Sequence, residues 1–590
     1  AIATWTNPFV THALYAPSGV NLTWTPTAPG LALVFSPLTS LLGPVASFNV
    51  AMLLMPALSG WAAYLLCREL TRSVWASLIG GLLYGYSDAG MHQFLAGNLN
   101  LTAMFVPPLV ALAVVRYVRS ELGDRGLAWR LGVLIAVQLW ISTEVALTLT
   151  IFLGLGLVLA FSFLRQARPR VLSSMAPVGA GYGIGMVLAA PFVAFLLIGF
   201  VSRQFAGSLW VWGTDPLGFV VPNKIQGIGG QWFLSFGNHT PNGDLAYLGP
   251  PALLVVCLFA FRFRRERSTW FLLAALLTAT VVTLGLTLSV DGHKLLTFPW
   301  WDAAQSWPLV DNVLPFRLAA YVALCVAVIV AIWIDRTRGR FFARPYVLPV
   351  LAVVALVPAV WDPGQYSPGH PVRLGFFTDG SYRTCIPKNE TLLALPIGGA
   401  ALVWQAESGF WFKLADDGVQ PIPEVGRPIS SFDQDEIVSD LHSGQGTPTM
   451  DRLLAFSALH DVGRVVAPAA VGYPTRSQSS RLGGAQVTGG ALVAPGCATK
   501  PLTTRNLTRY VAAYRQELAA PSRPSIGYCL PNEFTTLPEG MDPAGDLAGA
   551  VRAIAVAGVG LTCAAPPAGY KRRGFASGGV PPDTYAYYAP

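Results

Sequence analysis

The sequence predicts a polytopic α-helical membrane protein of about ten spans, followed by an exported mixed α/β domain stapled by disulfides. Three observations carry this prediction. The 590-residue chain is 53% hydrophobic and only 12% charged, with a mean hydropathy of +0.50; an average soluble domain carries about 25% charge. Its arginines gather between apolar runs, and its seven cysteines divide between those runs and a polar tail. A chain this long and this poor in charge cannot cover itself in water, whereas a bilayer accepts apolar surface. The 46 prolines and 59 glycines sit among apolar residues, which excludes disordered, collagen-like and small disulfide-scaffold classes.

The first 45 residues contain no Asp, Glu, Lys or Arg. They lack the basic start and short apolar centre of a signal peptide. Apolar spans then fall at roughly 46–67, 74–87, 101–117, 130–143, 145–164, 173–200, 249–262, 269–289, 317–335 and 346–361.

The net charge of +8 reports topology rather than nucleic-acid binding. Of 39 basic residues, 17 fall in five short clusters between spans: 68–72, 116–130, 165–170, 262–267 and 336–344. Excess Arg in short loops marks the cytoplasmic side. The alternate loops hold four basic residues, Arg203, Lys224, Lys294 and Arg317.

This arithmetic gives a membrane domain over 1–361 and places 362–590, with 18 basic and 19 acidic residues, on the outer face. A boundary inside the tail near 496 is expected. Short apolar segments at Leu392–Pro396 and Val462–Val466 read as strands, and Met450–His460 and Leu502–Leu518 have helical spacing. Cys385, Cys497, Cys529 and Cys563 all lie in the tail; an even number in an exported domain implies two disulfides of open connectivity. Cys67, Cys257 and Cys325 lie in spans, where a thiol is a small hydrophobe.

Ionisable groups in or beside spans need partners or a task. Glu144, in Trp140-Ile-Ser-Thr-Glu-Val-Ala-Leu between two apolar runs, must face the protein interior or a wet cavity. Asp88 precedes His92, Gln93, Asn98 and Asn100 and suggests a polar pocket at the outer surface. Helix capping for Glu144 and a solvated turn for Asp88 are the alternatives. Arg317, at the outer start of a span, breaks the positive-inside pattern, so something should compensate it: a phosphate held bidentately, or outer headgroups reached by snorkelling. Lys224 and Lys294 could add positive charge. Asp433-Gln-Asp435 reads as a solvated loop, and Trp300, Trp301 and Trp307 as an interfacial belt. No Walker loop, dinucleotide fingerprint, CxxC or HExxH occurs.

Four stretches resemble bacterial integral-membrane glycosyltransferases of the GT-C class, of the large kind with an exported C-terminal domain. They are Asn7-Pro-Phe-Val with Ala16-Pro-Ser-Gly-Val-Asn-Leu, Gly85-Tyr-Ser with Gly97-Asn-Leu-Asn, Asp215-Pro-Leu-Gly-Phe-Val-Val-Pro-Asn, and Leu314-Pro-Phe-Arg. Thr391-Leu-Leu-Ala-Leu-Pro-Ile-Gly-Gly in the tail is similar to that group too. The resemblance covers most of 1–470, through motifs that are each short.

It implies transfer of a sugar from a polyprenyl-phosphate donor to an envelope glycan, lipid or protein at the outer face of a bacterial inner membrane. Glu144 and Asp88 would then be catalytic or orienting carboxylates, with a divalent cation, Mg or Mn, as an optional cofactor. Arg317, His92, Asn98, Asn100, Lys224 and Lys294 would bind substrate. The class keeps its base in the first outer loop, where the acid-free first 45 residues offer none; a further span upstream of Ala1 is expected to supply it. The rival reading is a catalytically idle structural or partner-binding subunit of an envelope assembly. A transporter would instead require matched, inverted, broken spans, which the sequence does not show.

Overall fold

The computed structural model describes residues 7–17, 19–198, 213–223, 225–228, 233, 245–298, 313–337, 346–357, 375–380, 382–394, 399–415, 462–468 and 560–564. The chain forms two compact units, 26–365 and the combination of 1–25 with 366–590.

In the smaller unit, β1 (Val10–Thr11) and β2 (Val20–Asn21) pair antiparallel. Ala13 and Ala16 then exchange backbone hydrogen bonds with Leu414, at 2.8 and 3.0 Å. That ladder joins the start of the chain, which lies ahead of the first expected span at 46 but inside the expected domain 1–361, to the unit of the tail.

The larger unit is helical. Its first elements are α1 (Pro29–Val34), α2 (Ser36–Leu42), α3 (Pro44–Leu70), α4 (Val74–Gly85), α5 (Asp88–Leu95), α6 (Leu99–Thr102), α7 (Val106–Val118), α8 (Asp124–Ile141) and α9 (Thr143–Phe163). They are followed by α10 (Arg168–Ser173), α11 (Met175–Leu188), α12 (Ala190–Ile198), α13 (Pro250–Arg262) and α14 (Arg267–Thr283). The hairpin of β3 (Thr287–Val290) and β4 (His293–Thr297) comes next, then α15 (Ala319–Thr337) and α16 (Val347–Ala355).

Four described helical stretches are long and apolar enough to cross a bilayer: Pro44–Leu70, Leu99–Val118, Thr143–Phe163 and Pro315–Thr337, with mean hydropathies of 1.8 to 2.4. Each of the ten stretches expected from hydropathy holds a helix; one bent pair, Arg165–Ser173 with Met175–Leu188, meets the standard only when counted as a single span, and the other five fall short. α4, α13 and α14 have 10–17 residues, α10 and α11 form a pair bent by 42°, α8 begins in charged residues, and α16 has nine residues. Apolar composition does not reveal where a helix breaks.

Pro315–Thr337 is the centre of the bundle, 83% buried, whereas Thr143–Phe163 is only 33% buried and faces outward. Close helix approach explains why α4 is so rich in small residues. A Cβ on Gly81 would lie 2.7 Å from the Gly60 carbonyl oxygen, and one on Gly85 would lie 2.6 Å from that of Pro56. α3 and α4 therefore touch backbone to backbone, the packing that small residues permit inside membranes. Gly132 on α8, with Gly181 and Gly185 on α11, makes a second such seam.

The remaining elements of the smaller unit are α17 (Gly375–Thr378), α18 (Tyr382–Cys385), β5 (Thr391–Ala394), α19 (Gly399–Glu407), β6 (Lys413–Leu414), β7 (Val462–Pro468) and β8 (Gly560–Ala564). The sheet has order β6-β5-β7-β8 and every pairing is parallel. Phe377, Trp404, Phe412, Ile386 and Leu392 form its core. Two of the expected strands are thus present, within one or two residues. The helices expected at 450–460 and 502–518 lie outside the described residues, as do the side chains of Cys385, Cys497, Cys529 and Cys563.

Candidate functional site

α8 ends at Ile141 and α9 begins at Thr143, so one residue, Ser142, links them and caps α9 by accepting a hydrogen bond from the Val145 amide. This places Glu144 in the first turn of α9, where the helix dipole favours an anion. Arg317 occupies the opposite situation. It lies in the 3-10 turn Pro315–Leu318 that opens the central span, where a helix dipole disfavours a cation. Local helix energetics therefore do not account for Arg317.

Its Nη1 donates to Glu144 Oε2 at 2.6 Å, with the two side chains 25% and 19% exposed. The compensation expected for this arginine is thus supplied at least in part by the protein itself. Arg317 Nε is buried without a hydrogen-bond partner; such an orphan costs about 1–3 kcal/mol unless a ligand or water completes it.

One turn further along each helix, Thr148 and Tyr321 bring their hydroxyl oxygens to 3.0 Å. The spacing of four residues puts Thr148 on the face of Glu144 and Tyr321 on that of Arg317. Phe152 stacks on Tyr321 at 4.0 Å between ring centroids. Glu144, Thr148, Arg317 and Tyr321 line a small cavity of about 30 Å³. Its polar lining is Gln93, Glu144, Thr148, Arg317 and Tyr321; Ala89 and Gly90 of α5, with Leu101, Met104 and Leu318, supply apolar wall. Gln93 Oε1 accepts from Asn98 Nδ2 at 2.8 Å, which holds the Gln93 amide in a fixed orientation.

Of the residues singled out in sequence, Glu144 and Arg317 meet across 173 positions of chain. Asn98 acts on the cavity wall through Gln93. His92 lies edge-on to Phe316, the neighbour of Arg317, with centroids 6.0 Å apart. Asn100 is buried, with Oδ1 unpartnered, and is not part of the lining. Lys294 sits on exposed β4. Lys224, the Asp433–Asp435 motif and Trp300, Trp301 and Trp307 lie outside the described residues. Gln93, Thr148 and Tyr321 were not sought as a set; the four-residue spacing from Glu144 and Arg317 is the signal that would have found the last two.

Asp88 is 1% exposed and serves a different place. Its carboxylate accepts from Gln226 Nε2 at 2.6 Å, Asn223 Nδ2 at 2.9 Å and the Tyr247 amide at 3.0 Å. It pins the segment 223–226 and Tyr247 to the start of α5 and does not line the cavity beside Glu144. Burial, with Asp88 nearby, pushes the Tyr247 phenol above its ordinary range. Asp215 works similarly, capping Leu217 and accepting from the Asp291 amide at the β3–β4 turn.

A divalent cation does not fit these donors. Glu144 is engaged by a cation, Asp88 is engaged by three N–H groups, and no group of three metal-ligating side chains occurs among the described residues.

No curated protein matches this chain. Two solved structures are similar at 13% identity: the Archaeoglobus fulgidus oligosaccharyltransferase in the apo form, and oligosaccharyltransferase AglB from the same organism in complex with an inhibitory peptide and a dolichol-phosphate. The TM-scores are 0.40 and 0.42, over 71% and 79% of this chain. The chain spans 59% and 64% of their lengths, less than two thirds of each. Residues 2–362 match the family described as a domain of unknown function (DUF6311), and the chain belongs to that family.

Proposed function

We propose that the chain is a membrane glycosyltransferase that moves a sugar from a polyprenyl-phosphate donor to an acceptor hydroxyl at the arginine-poor face of the membrane. The observation that carries this reading is the Glu144–Arg317 pair lining a cavity at the start of the central span, with Arg317 Nε still unpartnered. The motifs around these residues, Leu314-Pro-Phe-Arg and Gly97-Asn-Leu-Asn, support it by their resemblance to GT-C enzymes.

In the reaction the acceptor oxygen attacks the anomeric carbon with inversion, the bond from that carbon to the phosphate oxygen breaks, and polyprenyl phosphate leaves. Glu144 takes the hydroxyl proton or orients the hydroxyl. Arg317, through Nε, carries the charge that gathers on the leaving phosphate. Gln93 offers its amide to the sugar. Asp88 acts as a positioning residue that fixes α5 and, with it, Gln93.

The second reading, a structural subunit of an envelope assembly, is favoured by one observation: the Glu144 carboxylate is already taken by Arg317. A turnover assay separates them. The purified full chain, supplied with a panel of polyprenyl-phosphate sugars, should release polyprenyl phosphate, and Arg317→Ala should slow release at least about 100-fold, as loss of a key charge donor does. No release from any donor, or release unchanged in Arg317→Ala and Glu144→Gln, would leave the structural subunit.

A further inference from the structure

The far end of the helical unit repeats one pair of residues that the proposed chemistry does not use. Arg72 and Trp75 stand at the start of α4, Arg125 and Trp129 at the start of α8, Arg267 and Trp270 at the start of α14. All six side chains are exposed, the indoles by 65%, 60% and 51%.

Polar contacts tie the three helix starts into one face. Arg116 of α7 bonds Glu69 of α3, and Tyr117 of α7 bonds Asp124 of α8. Asp335 near the end of α15 accepts from the Arg72 amide, and its neighbour Arg336 pairs with Glu266, just before α14. From Arg317 to this face the chain runs the length of α15, 19 residues, or about 28 Å at 1.5 Å per residue, close to the thickness of a bilayer's hydrocarbon core.

Four acids of this face, Glu69, Asp124, Glu266 and Asp335, take part in these contacts, and Glu121 is exposed among the arginines. Glu69 is taken by Arg116 and Arg119, and Glu266 by Arg336. The guanidinium groups of Arg72, Arg125 and Arg267 make no ion pair among the described residues. Three guanidinium groups without an ion-pair partner, each a few positions from an exposed indole, thus lie at the arginine-rich end of the helical unit. A soluble anion could neutralise the arginines but gives no reason for the exposed apolar rings of the indoles, of which Trp270 spends its N–H on the Arg264 carbonyl. A lipid answers both, because indoles lodge at the headgroup boundary and guanidinium groups engage phosphate oxygens there.

We propose that this Arg–Trp ring binds the headgroups of anionic phospholipids. The inference stands independently of the glycosyltransferase reading. Charge attraction to an anionic membrane surface is worth about 1 kcal/mol per arginine, a factor of about five in relative binding for each.

The test uses the full chain in vesicles and compares quenching of tryptophan fluorescence by brominated phosphatidylglycerol and brominated phosphatidylcholine. Subtracting a Trp75→Phe, Trp129→Phe, Trp270→Phe variant isolates the ring from the other tryptophans. The expected result is a preference for phosphatidylglycerol of at least about fivefold in the subtracted signal. It should fall toward unity in Arg72→Gln, Arg125→Gln, Arg267→Gln and persist in the corresponding triple Lys variant. All six positions are exposed, so folding is preserved and circular dichroism checks it. Equal quenching by both lipids, or a preference that survives the triple Gln variant, overturns the proposal. Abolition of the preference by millimolar inorganic phosphate would do so too, by assigning the face to soluble anions.

Discussion

Removing Glu144 should cost far more than removing an ordinary surface carboxylate, because it strands Arg317. Exposed ion pairs contribute about 0–1 kcal/mol, whereas breaking a buried pair costs about 3–5 kcal/mol. With the side chains of Arg317 and Glu144 only 25% and 19% exposed, the site lies near the buried limit. Glu144→Ala should therefore destabilise the chain by about 3 kcal/mol. Arg317→Ala should cost less, about 1–2 kcal/mol, since a stranded carboxylate can take up a proton while a guanidinium stays charged. The double variant should be no worse than Glu144→Ala alone, giving a coupling energy of at least about 1 kcal/mol. Equilibrium unfolding in mixed micelles with increasing denaturing detergent measures all four corners of this cycle. Additive costs within about 0.5 kcal/mol would show that the pair does not hold α9 to the start of the central span.

Two further outcomes test the scaffold. Gly81→Ala forces a Cβ to 2.7 Å from the Gly60 carbonyl and should cost about 1–3 kcal/mol, while Gly179→Ala, with nothing within 4 Å, should be neutral or stabilise by up to about 1 kcal/mol; unfolding midpoints report both. Asp88→Ala strips a shared acceptor from Asn223, Gln226 and the Tyr247 amide, so it should cost about 3 kcal/mol or more and speed hydrogen exchange at 245–248, with α13 and α14 unaffected.

What could be read in the sequence was whatever disturbs a local pattern. Glu144 and Arg317 stood out because each breaks an apolar run or a charge rule, and both proved to line the cavity. That they compensate each other could not be read, since ion pairing between residues 144 and 317 leaves no trace in spacing or composition. Asp88 stood out for the same reason, but its donors lie at 223, 226 and 247, and only the fold shows that they engage the carboxylate. Hydropathy located the helices without measuring them: neither the bend after α10 nor the shortness of α4 is marked by a change in apolar composition. The association of residues 13–16 with Leu414 rests on backbone hydrogen bonds, which residues of almost any type can make, so nothing in the sequence marks it.

The most direct test of the central claim is a side-chain-resolution density map of the chain in lipid with added polyprenyl phosphate. A phosphate should lie within hydrogen-bonding distance of Arg317 Nε, its lipid tail leaving between helices, with Glu144 facing the same space. A phosphate bound elsewhere, or a cavity closed and dry around an undisturbed Glu144–Arg317 pair, would contradict it.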